Sequence, residues 1–265
     1  MSIRSEIDGA ILRLVMDKPA RGNALCPSMM LELAATLRRA ASESGVRVAI
    51  LRGAGAKAFC TGYDLAELRM AAPETSESAP TDWSSQFPEL TEMLAAMEEF
   101  PFPLIAALNG HAIGGGALLA SFCDMRVARS GVRFQIPASR LGVLYPLEGI
   151  RRLIAVVGAA RATTALLCAS NIDPQAGLAW GLYESVVDAA VLDSAADELA
   201  MEVASKAPLA VAGLRSILRG LALGLPEAEL RALHHEWTSR CLGSRDLAEG
   251  LSAALERRPP VFEGR

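Results

Sequence analysis

Apolar and polar positions fall in short blocks whose period switches between that of a strand and that of a helix. Ile11–Met16 is six residues with a single charge and reads as the first strand, with turn residues following at 17–23. From 27 to about 44, Met30, Leu33, Ala34 and Leu37 recur at helical spacing, with Pro27 at the start and Gly45 just past the end. A second strand is predicted at 46–51. A loop of small residues follows at 53–62, where backbone can approach a ligand closely. Asp64 then opens a short helix. Residues 71–82 lack periodicity, carry Pro73 and Pro80 and are acidic, so they read as a surface loop able to serve as a lid. Next come a helix at 87–99, a strand at 104–108, a glycine turn, a helix at 114–122 and a strand at 125–128. This alternation predicts an α/β body with right-handed parallel crossovers. Beyond 185–187 no strand is predicted, and 191–255 reads as helix broken at Pro208, Gly224-Leu-Pro226 and Gly243. No repeat of fixed period is visible.

With 265 residues and 51% hydrophobic content the chain can bury a sizeable core. Its formal net charge of -4, without any Lys/Arg run, gives no field for holding nucleic acid. Cys26, Cys60, Cys123, Cys168 and Cys241 are odd in number and dispersed, which fits reduced thiols in a cytoplasmic protein and supplies no metal site. The first residues contain no apolar leader, so neither secretion nor organelle import is expected. An uncharged stretch at 100–123 is long enough to cross a bilayer, but Pro101, Pro103, Asn109, His111 and its glycines suit a buried strand, turn and helix instead. In the tail, Leu214, Ile217, Leu218, Leu221, Leu230 and Leu233 are more apolar surface than one helix pair needs, which predicts packing against another subunit.

The loop at 110–116, Gly-His-Ala-Ile-Gly-Gly-Gly, joins a strand to a helix, so the N–H groups at the helix start are available to an anion. Neither a P-loop nor a Gly-x-Gly-x-x-Gly fingerprint is present, and a triple glycine also serves as a plain tight turn. His111 beside that turn, and His234 and His235 in the tail, read as structural. Leu90, Met93 and Met97 share one helix face and read as core.

Three segments taken together are more specific. Phe59-Cys-Thr-Gly-Tyr-Asp-Leu65, the run from Pro103 through Gly114-Gly-Gly116 to Ala120, and Cys123-Asp-Met-Arg-Val-Ala128 resemble the crotonase family, the enoyl-CoA hydratase/isomerase superfamily. The likeness extends to Asn23-Ala-Leu25, to Phe134-Gln-Ile-Pro137 with Leu141-Gly142, and to Arg257-Arg-Pro-Pro-Val-Phe-Glu-Gly264, so essentially the whole chain is covered. The resemblance implies the crotonase (ClpP-like) fold, an α/β ββα spiral core over 1–190 that carries an acyl-CoA site, and a helical C-terminal trimerisation region over 191–265. It implies homotrimers or hexamers built as dimers of trimers. It also implies an acyl-CoA substrate, with coenzyme A entering as part of that substrate and no permanently bound cofactor. The thioester oxygen would accept hydrogen bonds from the backbone N–H groups of Tyr63 and Gly115, an oxyanion hole for the enolate formed during hydration or isomerisation. CoA and acyl contacts are implied at Ala20, Arg21, Ala24, Thr61, Gly62, Tyr63, Asp64, Leu65, Gly114, Gly115, Ser139 and Gly142. Arg21 and Lys57 are candidate partners for the CoA phosphates, while Arg257, Arg258 and Phe262 would reach a neighbouring subunit's CoA or remain solvated. Asp64 also reads as a helix cap.

The sequence departs from the family at its two usual glutamates, which align with Leu118 and Ala138. Protonating Cα while activating water ordinarily takes two positioned acid/base groups. Glu148, in Leu144-Tyr-Pro-Leu-Glu-Gly149, is the replacement candidate, since burial among its apolar neighbours would suit it to proton transfer; its alternative is a carboxylate on a surface turn. Tyr145 is a second candidate proton donor. A rival reading is a silent acyl-CoA carrier that keeps the oxyanion hole without the glutamates.

Overall fold

The computed structural model describes residues 2–43, 45–64, 69 and 86–265. Its first strand precedes the one expected from the sequence: β1 (Ile3–Asp8) pairs antiparallel with β2 (Ile11–Met16). Only Ile3 of β1 is buried, so this edge strand is held by its ladder and carries almost no hydrophobic signature. Helix α1 (Pro27–Ala41) follows, with Met30, Leu33, Ala34 and Leu37 all buried as their spacing predicted.

Next, a motif recurs that the sequence did not display as a repeat. β3 (Val48–Gly53) and β4 (Ala58–Cys60) lead to α2 (Pro88–Glu99). β5 (Leu104–Leu108) and β6 (His111–Ile113) lead to α3 (Gly115–Phe122). β7 (Met125–Arg129) and β8 (Phe134–Gln135) lead to α4 (Ala138–Leu141). The first strand of each pair joins a six-stranded sheet and the second a four-stranded sheet, so the chain winds as a spiral of ββα turns. Two segments read as plain loops, 53–62 and the glycine turn after β5, therefore each contain a short strand. β4 and β6 are three residues each, too brief to show a period of two.

α5 (Leu147–Val157), α6 (Ala159–Leu167), β9 (Asn171–Ile172), α7 (Pro174–Ala179) and β10 (Ser185–Val187) complete the body. The sheet order is β1-β2-β3-β5-β7-β10, with β2, β3, β5, β7 and β10 parallel, as the alternating pattern requires. The main core lies between the sheets and α1, α2, α3 and α5, and includes Leu90, Met93 and Met97. α8 (Leu192–Ala204) lays Ala196 and Ala200 on the opposite face of the large sheet, against Val48, Ile50, Ile105 and Ala107. The boundary expected at 190/191 falls just ahead of a helix that packs on the body.

α9 (Pro208–Leu223), α10 (Glu227–Leu242) and α11 (Arg245–Glu256) form the tail. α9 is tied to the body through Asp124, whose carboxylate accepts from Arg215 Nε and Arg219 Nε at 2.8 Å each and from the backbone N–H of Leu104 at 2.8 Å. Arg215 also donates to the carbonyls of Met97 and Phe100, and Arg219 to that of Phe122. On its outer side α9 exposes Leu214, Leu218 and Leu221. Among the described residues no helix is long and apolar enough to cross a membrane.

Candidate active site

The candidate site forms where three chain segments meet at the C-terminal ends of β4 and β6. Residues 18–25 turn sharply through a 3-10 turn, Pro19–Arg21, and the buried Asn23 side chain donates to the carbonyls of Ala54 and Ala58. This turn is laid along the segment leaving β4: Thr61 N–H donates to Gly22 O at 3.0 Å, Leu25 N–H to Gly62 O at 2.7 Å, and Asp64 N–H to Leu25 O at 3.2 Å. The third segment is the glycine corner between β6 and α3. Gly62 has φ +91, and a Cβ built there would stand 2.7 Å from Ile113 O and 2.8 Å from Gly115 N. Only glycine fits at 62, through both its dihedral and its neighbours. The 62–63 backbone is thereby pressed against the first residue of α3, whose N–H has no acceptor one turn back within the helix.

The ring of Tyr63 stacks at 47° on Phe87, with centroids 5.1 Å apart, and lies beside Gly115. Burial raises the Tyr63 pKa, and the nearby charge of Glu89 raises it further. Phe87 and the half-buried Glu89, both at the start of α2, thus belong to this neighbourhood, although neither carries a distinguishing mark in the sequence beyond its place at a helix start. Leu118 is fully buried one turn into α3, and Ala138 opens α4 next to Pro137, itself 3.9 Å from where a Cβ of Gly114 would be. The two positions that align with the family's usual glutamates thus lie in α3 and at the start of α4, and both are apolar. The buried Tyr145 donates from its hydroxyl to Gly114 O at 3.3 Å.

Of the residues expected at the site, Ala20, Arg21, Ala24, Thr61, Gly62, Tyr63, Asp64, Gly114 and Gly115 come together here. Leu65 lies outside the described residues, as do the loop at 71–82 and most of the helix expected after Asp64. Asp64 forms an ion pair with Arg21. Ser139 is exposed on α4 and Gly142 just past its end, and Lys57 is exposed in the turn before β4. Of its two sequence readings Glu148 takes the surface turn: it sits in the first turn of α5 and is exposed, because the tightly packed neighbours of that turn are Tyr145 and Gly149 rather than the glutamate. A Cβ on Gly149 would stand 2.5 Å from Leu118 Cδ1 and 2.7 Å from Tyr145 Cε1. In the tail, Arg258 is engaged by Glu249 and Glu256 at 2.6 Å each. His111 Nδ1 accepts from the backbone N–H of Arg133 at 3.1 Å, a structural role. Cys60 and Cys123 are buried, which pushes each thiol up to about 12.

A spiral of ββα turns with a glycine-rich helix start facing an outgoing strand loop defines the crotonase class. Residues 6–265 match the family described as enoyl-CoA hydratase/isomerase, and the chain belongs to that family. It is 34% identical over 261 residues to the carnitinyl-CoA dehydratase of Proteus mirabilis (strain HI4320), covering 97% of this chain and 96% of that one. It is also 34% identical over 256 residues to the probable enoyl-CoA hydratase echA6 of Mycobacterium bovis (strain ATCC BAA-935 / AF2122/97), covering 96% of each. Among solved structures, the enoyl-CoA hydratase of Bacillus anthracis superposes with a TM-score of 0.90 at 28% identity over all of both chains. The protein is an acyl-CoA enzyme of the hydratase/isomerase type.

Proposed function

We propose that the protein binds an acyl-CoA thioester with its carbonyl oxygen between the backbone N–H groups of Tyr63 and Gly115, and hydrates or shifts a double bond conjugated to that carbonyl. The observation that carries this reading is the forced approach of Gly62 to Gly115, which brings the two peptide units side by side at a helix N-terminus. In hydration, a water O–H bond breaks, its oxygen bonds to Cβ, and the negative charge that moves to the thioester oxygen is held by the two N–H groups until Cα takes a proton. Deleting one such donor costs roughly 3–4 kcal/mol in other enzymes. Ala20, Arg21, Ala24, Thr61, Asp64 and Leu65 would flank the pantetheine, with Ser139 and Gly142 at the α4 rim.

Proton transfer falls to a carboxylate outside the two usual positions. Glu148 is our assignment: although exposed, it is the carboxylate next in the chain to Gly149, which abuts Leu118. A second reading assigns the proton to Glu89, favoured by its partial burial and its electrostatic reach to Tyr63. We further place the enzyme in the cytoplasm, in fatty-acid or related acyl-CoA metabolism, as a trimer or hexamer.

Calorimetry with acetyl-, crotonyl- and octanoyl-CoA tests the ligand. Absence of binding by all three at millimolar concentration, weaker than about -4 kcal/mol, would sink the reading. Loss of enoyl-thioester absorbance reports hydration, and proton NMR in deuterated water reports exchange at Cα. Binding without either would make the protein a carrier.

A further inference from the structure

The Gly114 carbonyl and the Gly115 N–H are the two ends of one planar trans peptide and point in opposite directions. Whatever holds that carbonyl oxygen therefore aims the N–H. The corner itself holds it weakly. Gly114 has φ 55 and ψ -114, and it leads a run of three glycines, the residues least able to fix a peptide orientation by their own sterics. Within the helix the oxygen has one first-turn partner, the Leu118 N–H at 3.0 Å, at a helix terminus, where backbone bonding is least regular.

A second partner arrives from elsewhere in the chain. Tyr145, 31 residues along and on the approach to α5, donates its hydroxyl to the same oxygen at 3.3 Å. Its ring is locked in place: it is buried, and Gly149 leaves just enough room for the ring and Leu118 together. We propose that Tyr145 is a positioning residue of the oxyanion hole, clamping the Gly114 carbonyl and so aiming the Gly115 N–H at the substrate oxygen. This inference rests on the oxyanion hole of the preceding section and deepens it.

Two physical consequences follow. Burial raises the phenol pKa, which keeps the donor protonated throughout the working range. The hydrogen bonds are also in series. When the substrate oxygen gains charge it draws on the Gly115 N–H, the Gly114 oxygen becomes a stronger acceptor, and the Tyr145 bond, longer at rest than the usual ~2.8 Å, tightens. The clamp is worth more in the transition state than in the ground state, so it acts on kcat rather than KM.

The test is Tyr145→Phe, which retains the ring and removes only the donor. Isotope-edited infrared spectra of butyryl-CoA labelled with carbon-13 at the thioester carbonyl read the strength of the hole in a ligand that cannot be hydrated; crotonyl-CoA serves for turnover. In the wild type the bound carbonyl stretch should move to lower frequency than in free butyryl-CoA. In the variant part of that shift should be lost at unchanged butyryl-CoA affinity. Its kcat should fall at unchanged KM, by less than the roughly 10²–10³-fold cost of deleting a donor outright. A wild-type shift that survives intact in Tyr145→Phe overturns the role of the tyrosine alone. No shift in the wild type overturns the hole itself, and this role with it. Should the variant not fold, 3-fluorotyrosine at 145, a more acidic donor of nearly the same shape, should enlarge the shift, and an unchanged shift overturns the proposal.

Discussion

Gly116 in the first turn of α3 lies directly against Cys60 at the end of β4: a Cβ on Gly116 would stand 2.0 Å from the Cys60 carbonyl oxygen. Because that oxygen is backbone in a buried strand, it cannot turn aside. Gly116→Ala should push the helix start away from the 61–63 segment and part the two N–H groups. The expected result is a loss of about 1–3 kcal/mol in unfolding free energy, read by denaturant titration, and at least ~10²-fold lower turnover of an enoyl-CoA.

Glu148 and Glu89 are separated by paired substitutions. Glu148→Gln should leave acyl-CoA affinity within error in calorimetry while lowering turnover by about 10²–10⁴-fold, the range for one proton-transfer group. Fixed amides hold the ligand, and the carboxylate matters only when a proton moves. Equal activity in Glu148→Gln together with that loss in Glu89→Gln would transfer the role to Glu89.

Asp124 ties α9 to the body. Burial works to raise its pKa, but the guanidiniums of Arg215 and Arg219 outweigh it and hold the carboxyl below the usual carboxylate range. A group depressed in the folded state contributes stability that is present above the unfolded-state value near pH ~3.9 and is lost as pH falls through the lower folded value. Asp124→Asn should cost ~3 kcal/mol at neutral pH, since two nearly buried cations lose their counter-charge. The gap between variant and wild type should narrow as the pH is taken below about 4. A gap independent of pH would show that the ion cluster is not what Asp124 supplies.

Leu214, Leu218 and Leu221, spaced four and three apart, expose 61%, 63% and 58% of their surface along one side of α9. Water contact over such a stripe is unfavourable, and a second copy of the chain is the expected cover. Sedimentation should show a trimer or hexamer at micromolar concentration, and Leu218→Glu should shift it toward smaller species. A wild-type monomer at that concentration would contradict the assembly.

Local information was legible in the sequence. Helix α1 follows from the spacing of Met30, Leu33 and Leu37, the parallel strands β2, β3, β5 and β7 from short apolar runs, and the tail breaks from Pro208, Gly224 and Gly243. Motifs around Tyr63 and Gly114 pointed to the family, because a corner that needs glycine leaves its mark in the residues themselves. β1 was illegible because an edge strand satisfied by its ladder needs little hydrophobicity. β4 and β6 were illegible because three residues are shorter than a readable period.

Every relationship that crosses turns of the spiral came instead from the packing of the whole chain. It pressed Gly62 onto Gly115, left Glu148 in solvent while turning Tyr145 inward, and set Asp124 against Arg215 and Arg219, which lie 91 and 95 residues away in sequence. The physical reason is that side-chain periodicity records which face of its own element a residue occupies. Which distant carbonyl or charge it meets there depends on how successive ββα turns stack, and that is a property of the packed whole.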